Sequence, residues 1–296
     1  MKLTFLGTGT SIGVPAIGCQ CEVCRSTDPH DKRLRCSAIL ETDEAEGDTP
    51  ESSLRVLIDC GPDFRQQILT QRFGKIDAVL LSHIHYDHVA GIDDLRPFSL
   101  FGDVDIYAQE DVVDGLHRTM PYCFKENLYP GVPRLNLHTV APHDVIKVER
   151  RAELRIQMHA SGASGDGVLN REPYDITVPP SKNVLEVVPI RVMHGSLPIL
   201  GYRIGKLAYI TDMKSMPDEE LPYLDGVETL VVNALRFEKE HHSHQLVHDA
   251  VTFAQRVGAK RTYLIHLTHD IGYHDRANAR LPEGFCFPHD GQVITI

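Results

Sequence analysis

Short apolar stretches and segments of helical spacing alternate along most of the chain. The apolar stretches are rich in β-branched residues and have the length of buried strands; they predict strands at residues 3–6, 37–40, 54–59, 77–82, 104–107, 135–140, 184–192, 200–204, 207–211, 229–233, 261–266 and 292–296. Apolar residues three and four apart predict helices at 63–71, 87–99, 109–119, 217–224 and 245–257. The alternation predicts a mixed α/β fold with layered sheets.

Two segments fit neither pattern. Residues 41–53 are acidic and contain glycine and proline, which indicates an exposed hairpin tip or a disordered loop. Residues 161–182 are rich in Gly, Ser and Pro, which suits either a lid over a site or a plain surface insertion. No internal repeat or convincing linker is present. We therefore predict a single domain over residues 1–296, with surface insertions at 41–53 and 141–182.

Composition limits the kind of partner. The chain has 296 residues, is 42% hydrophobic and carries a formal net charge of -11 with histidine neutral. A protein that grips a long nucleic acid normally presents a basic stripe to the phosphates, so the charge favours a small substrate over a long nucleic acid. Bound cations would still make a site locally positive, so an anionic ligand is compatible with this charge.

The chain shows no membrane or export signal. It contains no run of eighteen apolar residues, and Met1 leads directly into a strand-like stretch instead of the charged and apolar regions of a secretory signal. We therefore expect a cytoplasmic protein with no membrane partner. The sequence leaves the oligomeric state open, with a homodimer as one alternative.

The segment from Ala78 to His88 runs a buried strand directly into a cluster of metal-binding side chains. In an extended chain, residues i and i+2 point the same way, so His83 and His85 can bind one cation together. Asp87 and His88 follow where the chain turns into a helix, and they can bind a second cation a few ångströms away. The alternative is a set of polar residues at a solvated strand end, but no packing requirement selects this order.

Three later residues end apolar strands in the same manner: His194, Asp212 and His266. A single strand-end histidine is more often a satisfied surface residue. Three such ends, in a chain that also carries the first motif, predict further ligands for a dinuclear site.

Cysteine positions indicate a second metal site. In a chain without an export signal thiols are usually reduced or bound to metal, and Cys19, Cys21 and Cys24 lie within six residues. Three thiols suit a tetrahedral zinc ion that needs one further N or S ligand. We predict His269, because it lies three residues beyond His266 and one loop can then serve both sites. Three core thiols without a metal are the alternative. The other cysteines are predicted to be buried thiols: Cys36, Cys60, Cys123 and Cys286.

A known superfamily carries this set of ligand residues. Over essentially the whole chain, the protein resembles the metallo-β-lactamases in the motif His83-x-His85-x-Asp87-His88, followed in order by His194, Asp212 and His266. The resemblance implies a four-layer αββα sandwich with the metals at one edge of the two sheets. It also implies that the first metal is held by His83, His85 and His194, that the second is held by Asp87, His88 and His266, and that Asp212 bridges both. Asp59 matches the buried aspartate that braces the metal loop, and its place before Gly61 also suits a turn.

Two further features resemble a narrower branch, the cyclic-phosphate phosphodiesterases typified by the phosphoribosyl enzyme of the carbon–phosphorus lyase pathway. One feature is the cysteine cluster with its paired histidine. The other is a His-x-x-His before helix 245–257, in which His244 matches the member that faces the substrate. At that place an imidazole could protonate a leaving alkoxide. The alternative is a solvated histidine cluster that caps the helix. Long loops depart from the compact branch and leave the exact substrate open.

The resemblance implies a phosphodiester hydrolase that acts on a small, cyclic substrate. Two divalent cations, zinc or manganese, would lower the pKa of a bridging water, and the resulting hydroxide would attack phosphorus in line. A further zinc ion would be structural. Asp87 would orient the hydroxide, Asp212 would fix the metal pair, and His244 would act as general acid.

Three other functions remain open. A tRNA 3′-end endonuclease would share the core and a histidine near this helix, but the acidic charge and the absence of a basic arm count against it. A thioester, lactone or β-lactam hydrolase would share the metals without a clear need for His244. A non-hydrolytic protein like the pyrroloquinoline quinone accessory proteins would share the cysteine cluster, but the full ligand set counts against it.

Overall fold

The computed structural model describes residues 1–43, 49–129, 131–158 and 174–296. Its strands are β1 (Lys2–Gly7), β2 (Ser37–Glu41), β3 (Arg55–Ile58), β4 (Ala78–Leu80), β5 (Val104–Ala108), β6 (Leu135–Thr139), β7 (Ile146–Glu149), β8 (Leu154–Met158), β9 (Tyr174–Val178), β10 (Val184–His194), β11 (Leu197–Ile204), β12 (Leu207–Ile210), β13 (Thr229–Asn233), β14 (Arg261–Ile265), β15 (Phe285–Cys286) and β16 (Val293–Thr295). Its α-helices are α1 (Glu22–Arg25), α2 (Phe64–Ile68), α3 (Tyr86–Val89), α4 (Glu110–Thr119), α5 (Val247–Val257) and α6 (His274–Asn278). None of the helices in the described ranges is long and apolar enough to cross a bilayer.

Two seven-stranded sheets form the centre of the fold. The first has the strand order β16-β1-β2-β3-β4-β5-β6, and the second has the order β15-β14-β13-β12-β11-β10-β7. The strands from β3 to β6 are parallel in the first sheet, and those from β12 to β15 are parallel in the second. The carboxyl ends of parallel strands meet at one edge of a sheet, where ligand sites usually form.

The sheets pack face to face, and helices cover their outer faces. The core between the sheets contains side chains from both, including Phe5 and Tyr202. A second core holds Leu116 of α4 on the outside of the first sheet, and a third holds Phe253 of α5 on the outside of the second. Because both faces of each sheet are covered, the strands read as continuous apolar runs. The predicted four-layer αββα sandwich is confirmed.

Every predicted strand is present, and the structure adds β7, β8, β9 and β15. The prediction of loop or lid is wrong for residues 174–178, which form β9 and pair antiparallel with β8. β7, β8 and β9 alternate apolar and polar residues instead of forming a continuous apolar run, and β15 has only two residues. Residues 44–48 and 159–173, which belong to the two predicted insertions, lie outside the described residues. Residues 41–53 connect β2 to β3, which pair antiparallel.

The predicted helix at 87–99 is wrong in its extent. α3 is only four residues long, and a 3-10 helix follows it at Ile92–Phe101. Gly91 separates the two, and Pro97 lies inside the second, where it has no N–H to donate to an α-helical hydrogen bond. The helix predicted at 217–224 is likewise a 3-10 helix with a proline inside it.

Candidate metal centre

Strand ends from both sheets deliver histidine and aspartate side chains to one edge of the sandwich. The first sheet contributes the loop after β4 together with α3, and the second contributes residues at the ends of β10, β12 and β14. The ligand atoms form two groups, each with its atoms within 4.8 Å of one another: His83, His85 and His194 in the first group, and Asp87, His88, Asp212 and His266 in the second. All residues predicted for the dinuclear site therefore come together, with Asp212 in the second group.

Three residues at this edge adopt a backbone conformation that is uncommon for residues with side chains. Asp59, Asp212 and His266 have φ values of 58°, 56° and 57°, in the left-handed region that favours glycine. Such a conformation costs roughly 1–3 kcal/mol and persists where the surrounding structure enforces it. Each of the three follows the end of a parallel strand within two residues, so the left-handed turn redirects the chain at the site.

Hydrogen bonds to the far ring nitrogen orient two of the histidines. Nδ1 of His88 lies 2.7 Å from the carboxylate of Asp59. Nδ1 of His194 lies 2.7 Å from the backbone carbonyl oxygen of Asp212. Because the oxygen accepts the Nδ1 proton in each case, Nε2 is the nitrogen left to bind a metal.

Asp59 also holds the loop that carries the first ligands. It is fully buried, and it accepts hydrogen bonds from the backbone N–H of Ser82 at 2.8 Å and from the Ser82 hydroxyl at 2.9 Å. The same hydroxyl lies 3.0 Å from Nδ1 of His83. Asp59 is therefore connected to the first ligand group through Ser82 and to the second through His88. These contacts are those expected of an aspartate that braces the metal-binding loop.

Ring nitrogens without hydrogen-bond partners support a cation site. Nε2 of His88 and both ring nitrogens of His266 are buried and have no hydrogen-bond partner among the described residues. Nε2 of His88 nevertheless lies 3.1 Å from Oδ2 of Asp87 and 3.3 Å from Oδ2 of Asp212. A buried polar atom without a partner costs about 1–3 kcal/mol, whereas a cation between these atoms would satisfy nitrogens and carboxylates together. The residues present therefore fit a divalent metal.

The pKa shifts of the ligand residues also support a cation site. Although burial opposes a charged imidazole, the carboxylates of Asp212 and Asp59 raise the pKa of His88 well above its ordinary value. Burial also opposes charge on Asp212, yet the rings of His266 and His88 hold the pKa of that carboxyl well below its usual range. Burial lowers the pKa of His83 and keeps its imidazole neutral, as a metal ligand must be. The carboxylates thus stay ionised and favour positive charge beside them.

His244 lies next to the second ligand group. Its Nε2 is 3.0 Å from Oδ1 of Asp212, and its Nδ1 is 3.0 Å from Nδ1 of His241. Burial lowers the pKa of His244 to about 4. The ring does not cap α5, because the N-cap position is Leu246 and the partners of the His244 ring are Asp212, His241 and Ser243. The helix-capping alternative is therefore wrong for His244.

The cysteine cluster forms a separate metal-type site. The Sγ atoms of Cys19, Cys21 and Cys24 and a ring nitrogen of His269 lie within 4.8 Å of one another. Sγ of Cys24 is 3.0 Å from Nδ1 of His269. The Cys24 backbone N–H donates to Sγ of Cys21 at 3.4 Å and lowers the pKa of that thiol, which favours the thiolate that binds metals. Three thiols and one imidazole fit a tetrahedral zinc ion.

The remaining cysteines follow the prediction with one exception. Cys36, Cys60 and Cys123 are buried, but Cys286 is only partly buried. The prediction is wrong for Cys286 because β15, which contains it, is the edge strand of the second sheet. Among the described residues, β14 is the one strand that pairs with β15.

Several supporting residues were not predicted from the sequence. The Thr211 hydroxyl donates to Oδ2 of Asp212 at 2.6 Å, as Ser82 does to Asp59. At Gly61, a Cβ atom would lie 2.0 Å from the backbone oxygen of Asp87, so only glycine allows this close approach. A hydroxyl residue directly before a ligand, as in Thr211-Asp212, could have indicated the supporting role of Thr211 from the sequence. No sequence pattern could have indicated the contact of Gly61 with Asp87, because it joins two distant segments.

A protein-family model described as the beta-lactamase superfamily domain matches residues 54–267. That range contains both ligand groups of the dinuclear site. The chain belongs to the metallo-β-lactamase superfamily. Most members of this superfamily are hydrolases, and their metal-binding fold implies that this chain binds divalent metal.

Comparison with individual proteins refines this position. The chain is 34% identical to a diphosphatase of the PhnP family and matches its crystal structure with a TM-score of 0.76, over 99% of this chain and 96% of that one. The chain therefore lies in the PhnP-like branch of the superfamily. Zn²⁺-bound PqqB from Methylobacterium extorquens matches with a TM-score of 0.67 at 19% identity, over 100% of both chains, which shows a shared fold alone.

A curated relative is longer than this chain. The octanoyltransferase of Porphyromonas gingivalis is 39% identical over 98% of this chain, but the match covers 51% of that protein. The chain thus spans about half the length of this relative. The name of the longer protein therefore assigns no activity to this chain.

Proposed function

We propose that the protein hydrolyses a small phosphodiester, with a cyclic phosphodiester as its preferred form. The observation that carries the proposal is the position of His244, whose Nε2 lies 3.0 Å from Oδ1 of Asp212 in the second ligand group. An imidazole there can protonate a departing alkoxide. A thioester or lactone hydrolase would use the cations but has no clear need of this proton donor. Similarity to a diphosphatase adds support for phosphoryl chemistry.

The residues of the chain divide the work between binding and proton transfer. Two divalent cations, zinc or manganese, would when bound lower the pKa of a water molecule and stabilise charge on the phosphoryl oxygens. The carboxylate of Asp87, whose Oδ2 lies 3.6 Å from Nε2 of His266, accepts a hydrogen bond from the attacking water and orients it. Asp212 fixes the spacing of the two ligand groups.

His244 must be protonated in the enzyme–substrate complex to act as an acid. Burial lowers its pKa to about 4 in the free protein, and an anionic phosphodiester beside the ring raises the pKa, as opposite charges do. His241 and the Ser243 hydroxyl lie 3.0 Å and 3.2 Å from Nδ1 of His244. These contacts hold the ring with Nε2 directed to the ligand groups.

The proposal includes the other partners of the protein. One structural zinc ion would bind at Cys19, Cys21, Cys24 and His269. Reduced thiols of this kind suit the cytoplasm. The net charge of -11 supports a small substrate over a long nucleic acid, which counts against the tRNA-processing alternative.

The experiment compares two leaving groups on His244→Ala. A general acid matters most when the leaving group is basic, so hydrolysis of a ribose-type cyclic phosphodiester should slow by about 10²–10⁴-fold. An activated p-nitrophenyl diester should lose much less, because its leaving group departs as a stable anion. Metal content is measured on each preparation, and His248→Ala, an exposed histidine on α5, is the matched control.

The outcomes separate the roles. Equal losses on both diesters would reject the acid role and indicate that His244 positions the substrate. No loss on either diester would remove His244 from the mechanism, and no turnover of either diester by the wild-type protein would contradict the proposed function.

A thioester hydrolase is the second candidate, favoured by the relative named octanoyltransferase. An acyl thioester in the same assay tests it. Turnover of the thioester, retained in His244→Ala, together with no turnover of any diester, would establish this alternative.

A further inference from the structure

Asp212 and His244, the residues proposed to join the metals and to donate the proton, come from separate segments of the chain. Asp212 follows β12, and His244 lies in the loop before α5. Nε2 of His244 is nevertheless 3.0 Å from Oδ1 of Asp212. Groups at a reactive site must be held within about 0.5 Å of the productive geometry, so the two segments need a common support.

A buried asparagine at the end of β13 supports the first segment. Oδ1 of Asn233 accepts a hydrogen bond from the Met213 N–H at 2.8 Å, and its Nδ2 donates to the Met213 carbonyl oxygen at 2.9 Å. Met213 directly follows Asp212, whose φ of 56° is in the left-handed region. Such a conformation persists only where surrounding contacts enforce it. The two bonds are contacts of this kind, because they fix both peptide groups of Met213.

Gln245 connects the same asparagine to the second segment. Its backbone N–H donates to the Met213 carbonyl oxygen at 3.1 Å, and its side-chain Nε2 donates to the Asn233 carbonyl oxygen at 2.8 Å. Its own carbonyl oxygen accepts from the Leu235 N–H at 3.2 Å. Because Gln245 directly follows His244, these bonds fix the backbone beside the proton donor.

The hydrogen bonds among Asn233, Met213 and Gln245 form a closed ring, and all three residues are buried. A buried amide is costly unless it is hydrogen-bonded, and the three residues before Asn233 in β13 are Leu, Val and Val. An apolar side chain would continue that run without a polar group to satisfy. The amide is explained by the two backbone segments that it joins.

A ligand of the first group depends on the same spacing. Nδ1 of His194 lies 2.7 Å from the carbonyl oxygen of Asp212 and 2.9 Å from that of Ser243. These oxygens belong to the two segments that meet at Asn233. Movement of one segment against the other would lengthen one of these contacts and turn the imidazole.

We propose that Asn233 and Gln245 are positioning residues that hold Asp212 and His244 at the separation required for metal binding and proton donation. Asn233 acts on Asp212 through the backbone of Met213, and Gln245 acts on its neighbour His244. The part that concerns His244 rests on the proposed function, whereas the part that concerns Asp212 rests on metal binding alone.

The kinetic test uses Gln245→Met, which removes the side-chain bond to Asn233 and keeps the side-chain length. The ratio of kcat/KM for a ribose-type cyclic diester to that for a p-nitrophenyl diester should fall by about 10-fold, because a misplaced acid affects mainly the basic leaving group. Loss of folded or metal-loaded protein lowers both rates equally, so the ratio does not respond to a merely structural defect. In His244→Ala, adding Gln245→Met should leave the ratio unchanged.

Gln67→Met is the matched control for Gln245→Met. Gln67 is also buried, and its Nε2 also donates to a backbone carbonyl oxygen, that of Arg35 at 2.8 Å. The control loses the same kind of bond between other segments, so its ratio should equal that of the wild type. A wild-type ratio in Gln245→Met, or an equal fall in Gln67→Met, would overturn the role of Gln245.

Metal titration tests Asn233 without turnover. Mn²⁺ is the probe, because carboxylate ligands suit it and thiolates select softer ions. Asn233→Leu removes both bonds to Met213 and should weaken Mn²⁺ binding by about 10- to 100-fold, the usual cost of losing a partner outside the ligands. Asn233→Thr, whose single hydroxyl cannot make both bonds, should change the affinity in the same direction and keeps the test open if Asn233→Leu does not fold.

Asn278→Leu is the matched control for Asn233→Leu. Asn278 of α6 makes the same pair of bonds to one backbone residue, since it accepts from the Phe287 N–H at 2.8 Å and donates to the Phe287 carbonyl oxygen at 3.2 Å. Its variant should bind Mn²⁺ like the wild type. Wild-type affinity in both Asn233→Leu and Asn233→Thr would overturn the role of Asn233.

Failure of the proposed function would be recognised separately. If the wild-type protein hydrolyses neither diester, the Mn²⁺ titration still decides the role of Asn233. NMR of protein labelled with ¹³C-histidine then decides the role of Gln245: the ring signal of His244, assigned by its loss in His244→Ala, should shift in Gln245→Met and stay in place in Gln67→Met. An unchanged signal in Gln245→Met would overturn that role.

Discussion

The dinuclear ligand set and the cysteine cluster are both metal-type sites, but their ligands reach them by different routes. The dinuclear set draws on the ends of several strands in two sheets, and all of its members except His85 are buried. The cysteine cluster takes three ligands from one short segment and only His269 from far along the chain; Cys21 is exposed. The first site therefore forms only when the two sheets pack together, whereas most of the second is local.

One loop joins the two sites. His266 belongs to the second ligand group, and His269 of the cysteine cluster begins a 3-10 helix three residues later. The Thr268 hydroxyl between them accepts a hydrogen bond from the Asp270 N–H. Disturbing the cysteine cluster can therefore reach the dinuclear set through this loop. A variant of the dinuclear set should remove activity outright, and a variant of the cysteine cluster should mainly affect stability.

The largest effect is expected for Asp212→Ala, with His85→Ala similar. Asp212 contacts His88, His244 and His266, so its loss should reduce phosphodiesterase activity to background and lower catalytic metal content while the circular dichroism spectrum stays folded. Metal content and turnover are measured together. Asp218→Ala removes an exposed aspartate paired with Arg256 and should behave like wild type. Wild-type turnover after metal loss in Asp212→Ala would contradict the dinuclear mechanism.

Gly61→Ala should have the next largest effect. The added Cβ would meet the Asp87 backbone oxygen at 2.0 Å and force α3 to move, and a displacement of about 1 Å at reacting groups can cost about 10²-fold in rate. The measurement is kcat/KM with metal content. Gly258→Ala is the control, because it strains a left-handed residue at the end of α5 and destabilises the fold far from the ligands. Equal activity losses in the two variants would show that general destabilisation is responsible.

Asp59→Asn should weaken the dinuclear site by about 10- to 100-fold in metal affinity or activity, the usual cost of losing an outer partner. Asn presents one acceptor oxygen in place of two, so it cannot serve both Ser82 and Nδ1 of His88. Metal titration measures the change. Asp290→Asn is the matched control, since Asp290 is partly buried and accepts hydrogen bonds from the N–H groups of Leu34 and Thr8 instead of from a ligand residue. Metal affinity should fall in Asp59→Asn alone.

The smallest change in activity is expected for Cys21→Ser. The purified variant should contain about one zinc equivalent less than the wild type and melt at a lower temperature, because metal binding contributes to folding. Its kcat/KM should fall less than that of any variant above. Cys123→Ser, a buried cysteine outside the cluster, should keep its zinc. Unchanged zinc in Cys21→Ser would exclude the structural site, and a loss of activity as large as that of Asp212→Ala would show that the two sites are not separable.

Local spacing accounts for what could be predicted from the sequence. Most strands of the two sheets have apolar sequences, so the layered α/β class could be recognised from them. His83, His85, Asp87 and His88 lie within six positions, and Asp212 and His266 lie within two residues of the ends of β12 and β14. β7, β8 and β9 escaped prediction because their apolar residues alternate with polar ones instead of forming a continuous run.

By itself, the sequence determined which side chains could bind a cation, because the residue types and their positions at strand ends are local properties. Only the tertiary structure decided how those side chains are oriented. The hydrogen bond from His88 to Asp59 and the approach of Gly61 to Asp87 both join segments distant in the chain. Such contacts depend on how the two sheets and their loops pack, and no local pattern encodes that packing.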